Sequence, residues 1–220
     1  MKIREIITEG LNHPVIVVDV QPEYAHSNAQ RCADIIKFVN KQTGPVLMFV
    51  NAEDTGVSED TIDSIREYWD NTICPEEERM TYDEEYDDYV PNPNCDQINW
   101  NRFTIVDKGY GYFRSWLDSG INESIIVATI RELYSQKVND TRMLEFPEPN
   151  KRTKQQNLIA TTIEEMDGDP LITEWTSVAQ LKRFNGAYIV GGGRNKCLRE
   201  VELLMNAFNI KYKRIDSLVY

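Results

Sequence analysis

Asp19, Lys108 and Cys197 are the three side chains whose types suit one reaction, nucleophilic attack by a thiol. Cys197 follows Gly191-Gly192-Gly193-Arg194-Asn195-Lys196 and opens the amphipathic run CLREVELLMNAF, so it falls at the expected start of a helix. Unsatisfied N–H groups and the positive end of the helix dipole favour a thiolate there and lower the thiol pKa. Arg194, Lys196 and Arg199 add positive charge. A thiol nucleophile needs a base or an electrostatic activator. Asp19 is expected to accept the proton, with Lys108 as the cation that stabilises thiolate or oxyanion. Gly191, Gly192 and Gly193 let the backbone approach a ligand closely, and with Arg194 and Asn195 they are expected to bind the substrate or its oxyanion.

Other residues offer less. Cys32 lies on the apolar stripe of a helix, which places it in the core, and Cys74 and Cys95 border an acidic stretch with no supporting partner. In a cytosolic compartment all four cysteines are expected to be free thiols. The two histidines are His13, ahead of the first strand, and His26, in a turn after Asp19. With no C-x-x-C spacing and no paired histidines, neither a zinc site nor any other metal or cofactor is expected.

The elements that must bring Asp19, Lys108 and Cys197 together follow from hydrophobic patterning. VIVVDV (15–20) is an uninterrupted β-branched run, as suits a central strand covered on both faces. Asn28 to Val39 has helical periodicity and PVLMFV (45–50) is a second strand, so the opening is a βαβ unit with a right-handed crossover. Asp60 to Trp69 is a helix, FTIV (103–106) a third strand, Tyr112 to Asp118 a short helix and SIIVA (124–128) a fourth strand. Arg131 to Arg142 is helical. Thr176 to Phe184 is a helix, AYIV (187–190) a strand, and Lys211 to Ile215 the last strand. The expected fold is one α/β domain over 1–220, a three-layer αβα sandwich on a mostly parallel sheet. It carries an irregular acidic insertion at about 74–100 and an irregular segment at about 143–172. Ligands of open parallel sheets bind at the carboxyl ends of the strands, where Asp19, Lys108 and Cys197 all fall.

Composition excludes several classes. The net charge is −12, much of it in EEERMTYDEEYDD (76–88), and the one dense basic patch is KRTK (151–154). This argues against nucleic-acid binding, which needs clustered Lys and Arg to displace counterions. The acidic run itself fits a solvated loop better than a cation or partner site. No apolar run approaches the ~20 residues that span a bilayer. The N-terminus lacks the apolar core of a secretory signal, so a cytoplasmic protein is expected.

The same residues resemble a known family. VIVVDVQPEY is similar to the opening strand of the isochorismatase-like cysteine hydrolases, an apolar strand followed by Asp, one residue and Gln. Lys108 with GYGYFRSWL resembles their lysine segment. AYIVGGGRNKCLREVELLMNAFNIKYKRID resembles their nucleophile segment, in which Cys follows the strand-ending Gly by six residues and a short strand ends near Asp, here Ile215-Asp216. The resemblance implies the isochorismatase-like fold, Asp19 as general base, Lys108 as its support, Cys197 as nucleophile and Gln21 among the ligand-facing residues. It implies hydrolysis of a small amide, imide or related molecule. The family's nicotinamidase branch also carries a metal, but NAEDTGVSED offers Asn51, Glu53 and Asp54 without a histidine, so that metal is not expected here.

The departure lies between Lys108 and Cys197. In the family the cysteine strand follows the lysine segment almost directly. Here SIIVAT comes first and the family position falls near Ser135. Either an insertion separates the two segments, or the catalytic cysteine is missing and GGGRNKC is an independent feature. The chain also looks similar to proteins encoded by large tailed bacteriophages, which would place it in host cytoplasm or virion. Three functions therefore stand side by side. One is a cysteine hydrolase with a small-molecule substrate. The second is an inactive binding or assembly protein on the same scaffold, with a protein partner or a second copy of itself. The third is a nucleotide- or phosphate-binding protein centred on GGGRN before its helix, though neither G-x-G-x-x-G nor a P-loop lysine motif occurs.

Overall fold

The computed structural model describes residues 12–25, 27–51, 57–108, 112–138, 140–166 and 177–220. In chain order these form β1 (Val15–Val18), α1 (Pro22–Ala25), α2 (Ala29–Asn40), β2 (Val46–Val50), α3 (Glu59–Ile73), β3 (Met80–Asp83) and β4 (Asp88–Pro91). There follow β5 (Phe103–Asp107), α4 (Tyr112–Asp118), α5 (Glu123–Gln136), α6 (Lys154–Glu165), α7 (Val178–Lys182), β6 (Ala187–Gly191), α8 (Cys197–Ala207) and β7 (Tyr212–Arg214). The central sheet runs β5-β2-β1-β6-β7, and every neighbouring pair is parallel.

Alternation of side chains along each strand sends residues to opposite faces. Ile16, Val18, Leu47, Phe49 and Ile189 pack with residues of α4, α5, α7 and α8. Val15, Val17, Val46, Met48, Val50 and Val190 pack with residues of α2 and α3. Both faces of β1, β2 and β6 are buried, which is why these strands are continuously apolar in sequence. The result is an α/β protein with a five-stranded parallel sheet between helical layers, as expected.

Four expectations fail. SIIVA is not a strand but the first turns of α5, whose N-terminus is capped by the Asn122 side chain accepting from the Ser124 N–H. Ile126, Ile130 and Leu133 then bury one face at helical spacing, and this packing overrides the β preference of the isoleucines. The segment expected to be irregular at 143–172 contains α6, which starts from a reciprocal capping box between Thr153 and Gln156. The acidic stretch 74–100 holds its own antiparallel hairpin, β3 paired with β4, with Tyr82 opposite Tyr89. The end of α3 and the chain returning from the hairpin bring Cys74 and Cys95 to a Cα separation of 5.5 Å, and the two form a disulfide. The expectation of four free thiols is corrected to two, Cys32 and Cys197.

The helix at 124–136 has a further consequence. Among the described residues no strand lies between β5 and β6, so the strand leading to Cys197 is the next in sequence after the strand leading to Lys108. The interposed fourth strand that would set the two segments apart is absent from this part of the fold.

Candidate functional site

Three strand ends position the site. Asp19 directly follows β1, the central strand, and its N–H donates to the Phe49 carbonyl of β2 at 2.9 Å. Its backbone sits in the left-handed region at φ 53°, which is strained for a residue with a Cβ and recurs where function dictates geometry. Lys108 follows β5, with its N–H donating to the Val50 carbonyl at 2.9 Å. In the sheet β5 lies two strands from β1, roughly 10 Å away, a span that a lysine side chain bridges across the end of β2. Cys197 opens α8 after β6, the other neighbour of β1.

The side chains converge. The Lys108 ammonium lies 3.4 Å from Asp19 Oδ1, and the two side chains are only 3% and 1% exposed. The Cys197 thiol is near enough to the same carboxylate for each to shift the other's ionisation. Neither carboxylate oxygen has a well-aligned hydrogen-bond partner, so the contacts are chiefly electrostatic. Cys197 itself is half-buried.

Burial shifts all three groups. It pushes the Asp19 carboxyl above its ordinary value, with Lys108 and the thiol pulling the other way. Burial would lower the Lys108 ammonium, but the negative charges available on Asp19, Cys197 and Tyr24 outweigh it and hold Lys108 above its usual value. The Cys197 thiol is pushed up to about 11 by burial and then by the Asp19 charge, against the opposing pull of Lys108. This corrects the expectation of a thiol made acidic by its helix terminus. The helix end is outweighed here by burial of the sulfur and then by the charge of the Asp19 carboxylate.

The remaining predicted residues have varied surroundings. The Gln21 amide links the ends of β1 and β2: Asn51 N–H donates to Oε1 at 3.0 Å, and Nε2 donates to the Asn51 carbonyl at 3.1 Å and to Glu23 at 2.9 Å. Gly191 (φ 80°) and Gly192 (φ 63°) are left-handed, and a Cβ on Gly191 would stand 2.3 Å from the Val18 carbonyl oxygen. Gly191 is therefore demanded by the close passage of β6 beside β1, whatever ligand binds. Gly191→Ala is expected to cost at least about 2 kcal/mol in urea unfolding, since left-handed strain and a backbone clash add. Gly193 accepts from the N–H groups of Lys196 at 2.9 Å and Leu198 at 3.3 Å. Arg194 turns to the C-terminal segment, its N–H donating to the Tyr220 carbonyl at 2.9 Å and its guanidinium 3.2 Å from Asp216. Asn195 is exposed.

Three further groups touch the site that the sequence does not single out. The Tyr24 hydroxyl accepts from Asn51 Nδ2 at 3.1 Å, and burial followed by the Asp19 charge raises its pKa. The Tyr220 hydroxyl donates to the Asp19 carbonyl, and its N–H donates to Gly192 at 3.2 Å, joining the strand ends that carry Asp19 and Cys197. Glu200, one turn beyond Cys197, is buried. Only Glu200 leaves a trace in the sequence, as an acid within the apolar pattern of α8. His13 packs its ring against Tyr188 at 5.0 Å. His26, Glu53 and Asp54 lie outside the described residues. Among the described residues no group of three or more His, Cys, Asp or Glu could hold a metal ion, and no helix is long and apolar enough to cross a membrane.

No family model, curated protein or solved structure matches the chain.

Proposed function

We propose that this protein is a cysteine-dependent hydrolase of a small amide, imide or related compound, working in the manner of the isochorismatase-like hydrolases that its sequence resembles. The observation that carries the reading is the grouping of the Asp19 carboxylate, the Lys108 ammonium at 3.4 Å and the Cys197 thiol at adjoining strand ends. In this mechanism the thiol rests protonated. Asp19 takes its proton as sulfur attacks the carbonyl carbon, which restricts the nucleophile to the moment of reaction. The buried position that raises the Asp19 pKa makes it a stronger base than a solvated carboxylate, while the Lys108 charge favours its ionised form. The proton then passes to the leaving amine, a thioester remains on Cys197, and water activated by Asp19 releases the acid. The phage likeness remains part of the proposal, and cytoplasmic placement stands in it against the Cys74–Cys95 disulfide, which a reducing compartment disfavours.

The second reading, a non-catalytic binding protein on the same scaffold, is favoured by the thiol's pKa of about 11. Incubation with a panel of small primary amides and imides separates the two. The hydrolase reading expects ammonia from the primary amides, an amide product from the imides, and an acyl adduct on Cys197 by mass spectrometry, all abolished in Cys197→Ala and lowered at least about a hundredfold in Asp19→Asn. Adduct-free, turnover-free protein across the panel would leave the binding reading standing.

A further inference from the structure

The acidic β3–β4 hairpin is firmly built, yet neither of its faces is buried. The Cys74–Cys95 disulfide closes its base, and Asn92 donates to the Arg79 carbonyl through its N–H and to the Glu78 carbonyl through Nδ2, each at 2.8 Å. Arg79 is tied back to α3, donating to Asn71 Oδ1 at 2.7 Å and to the Cys74 carbonyl at 3.3 Å. A two-stranded hairpin alone is marginal in water, so these ties hold its shape. Residues directly opposite across the ladder share a face, as do residues two apart. Met80 with Pro91 and Tyr82 with Tyr89 therefore make one face, and all four are exposed. The Tyr82 and Tyr89 rings meet edge-on with centroids 5.5 Å apart, and the Tyr82 hydroxyl donates to Asp87. Of the six large apolar side chains exposed among the described residues, Met80, Tyr82, Tyr86 and Tyr89 lie on this hairpin, at 47–70% exposure. A solvated loop requires neither the ties nor such a concentration of exposed rings.

Charge identifies the occupant of this face. Residues 76–91 hold eight acids against one base, the tied-back Arg79, a net −7 within a chain at −12. Asp83 stands directly opposite Asp88 at the hairpin end, a like-charge pair that destabilises the ladder and that a bound cation would relieve. A second copy in a closed dimer would set acids against acids, and anionic lipid or nucleic acid would meet the same repulsion. Guanidinium groups suit both parts of the surface, pairing with carboxylates and stacking on tyrosine rings. We propose that the face made by Met80, Tyr82, Tyr89 and Pro91 docks an arginine-rich segment of a partner protein, with the surrounding carboxylates as its rim. The preset hairpin lowers the ordering cost of such binding. Docking there is independent of the chemistry at Cys197.

The experiment titrates the full-length protein into a fluorescein-labelled peptide of alternating Arg and Ser and reads anisotropy. Saturable binding is expected, weakening with added salt. The double variant Tyr82→Ser/Tyr89→Ser, which leaves net charge unchanged, should weaken it at least about tenfold, because interface tyrosines carry a large share of binding energy. A peptide with Lys in place of Arg should bind at least about threefold more weakly, lacking the planar group that stacks. Glu84→Gln/Glu85→Gln should weaken binding at least about threefold, whereas Glu164→Gln/Glu165→Gln, an equal charge loss on α6, should stay within about twofold of wild type. Absence of binding overturns the proposal. So does a tyrosine double variant within about twofold of wild type, equal binding of the Lys peptide, or equal effects of the two glutamine pairs, since each would mean unspecific charge attraction. Sedimentation velocity of the protein alone and flotation with phosphatidylserine vesicles test the other occupants. Self-association or vesicle binding that the tyrosine double variant abolishes overturns the proposal in favour of a second copy or a membrane. Should the double variant lose the wild-type circular dichroism spectrum, Tyr89→Ser alone, which keeps the Tyr82–Asp87 bond, must weaken binding at least about threefold or the proposal falls.

Discussion

Native Cys197 is expected to react with iodoacetamide about two orders of magnitude more slowly at pH 7 than the same thiol in urea-unfolded protein. Its labelling midpoint should lie near pH 11. A free thiol with pKa ~8.5 is a few per cent ionised at neutrality, whereas one near 11 is ionised on the order of one part in ten thousand. Four influences compete at the sulfur. The helix terminus and Lys108 favour thiolate, while burial and the Asp19 carboxylate oppose it. Burial ranks first and Asp19 second, which decides the direction. Labelling should climb tenfold per pH unit between 7 and 10, measured by peptide mass after quenching. A midpoint below 8.5, or labelling faster than in the unfolded chain, would show that the helix end and the ammonium prevail. The resting thiol would then need no base. The Cys74–Cys95 disulfide simplifies the measurement, because Cys32 is fully buried and Cys197 is the accessible free thiol.

Lys108→Met is expected to destabilise the protein by about 3–5 kcal/mol at pH 7, the cost of leaving a buried carboxylate without its counter-ion. Both partners are almost fully buried, so solvent cannot take over the role of the ammonium. In the variant Asp19 keeps the burial that raises its pKa and loses the cation that lowers it, so its folded value climbs further above 3.8. A carboxyl raised on folding contributes stability that is full below its unfolded pKa and is lost as pH rises through the folded value. The Lys108→Met deficit should accordingly be smallest near pH 4 and grow toward neutrality. Adding Asp19→Asn removes the orphaned charge and should restore most of the loss, since replacing both partners of a buried pair is far milder than removing one. Urea titrations of the two single variants and the double variant at pH 4.5 and 7 test this. Equal destabilisation at both pH values, or an additive double variant, would mean that the ammonium matters for packing and not for charge.

The central sheet is legible in the sequence because its strands are buried on both faces. VIVV, VLMFV and AYIV are continuous apolar runs bounded by turn residues, and a parallel strand between helical layers cannot be written otherwise. The same reasoning misassigns SIIVA, because a short β-branched run fits a buried helix equally well, and here packing against α8 decides between them. The hairpin at 80–91 leaves no such mark because neither of its faces is buried, so no alternation between apolar and polar residues is required of it.

By itself the sequence determined which chemistries were present and that Asp19, Lys108 and Cys197 each end or follow a strand, since strand-end positions follow from local hydrophobic pattern. Only the tertiary structure decided that β5 and β6 flank the β1–β2 pair, so that a lysine reaching over β2 meets an aspartate beside a thiol. The sign of the thiol's shift was likewise beyond the sequence. Local pattern places a cysteine at a helix end, but the charge and burial around its sulfur come from residues distant in the chain.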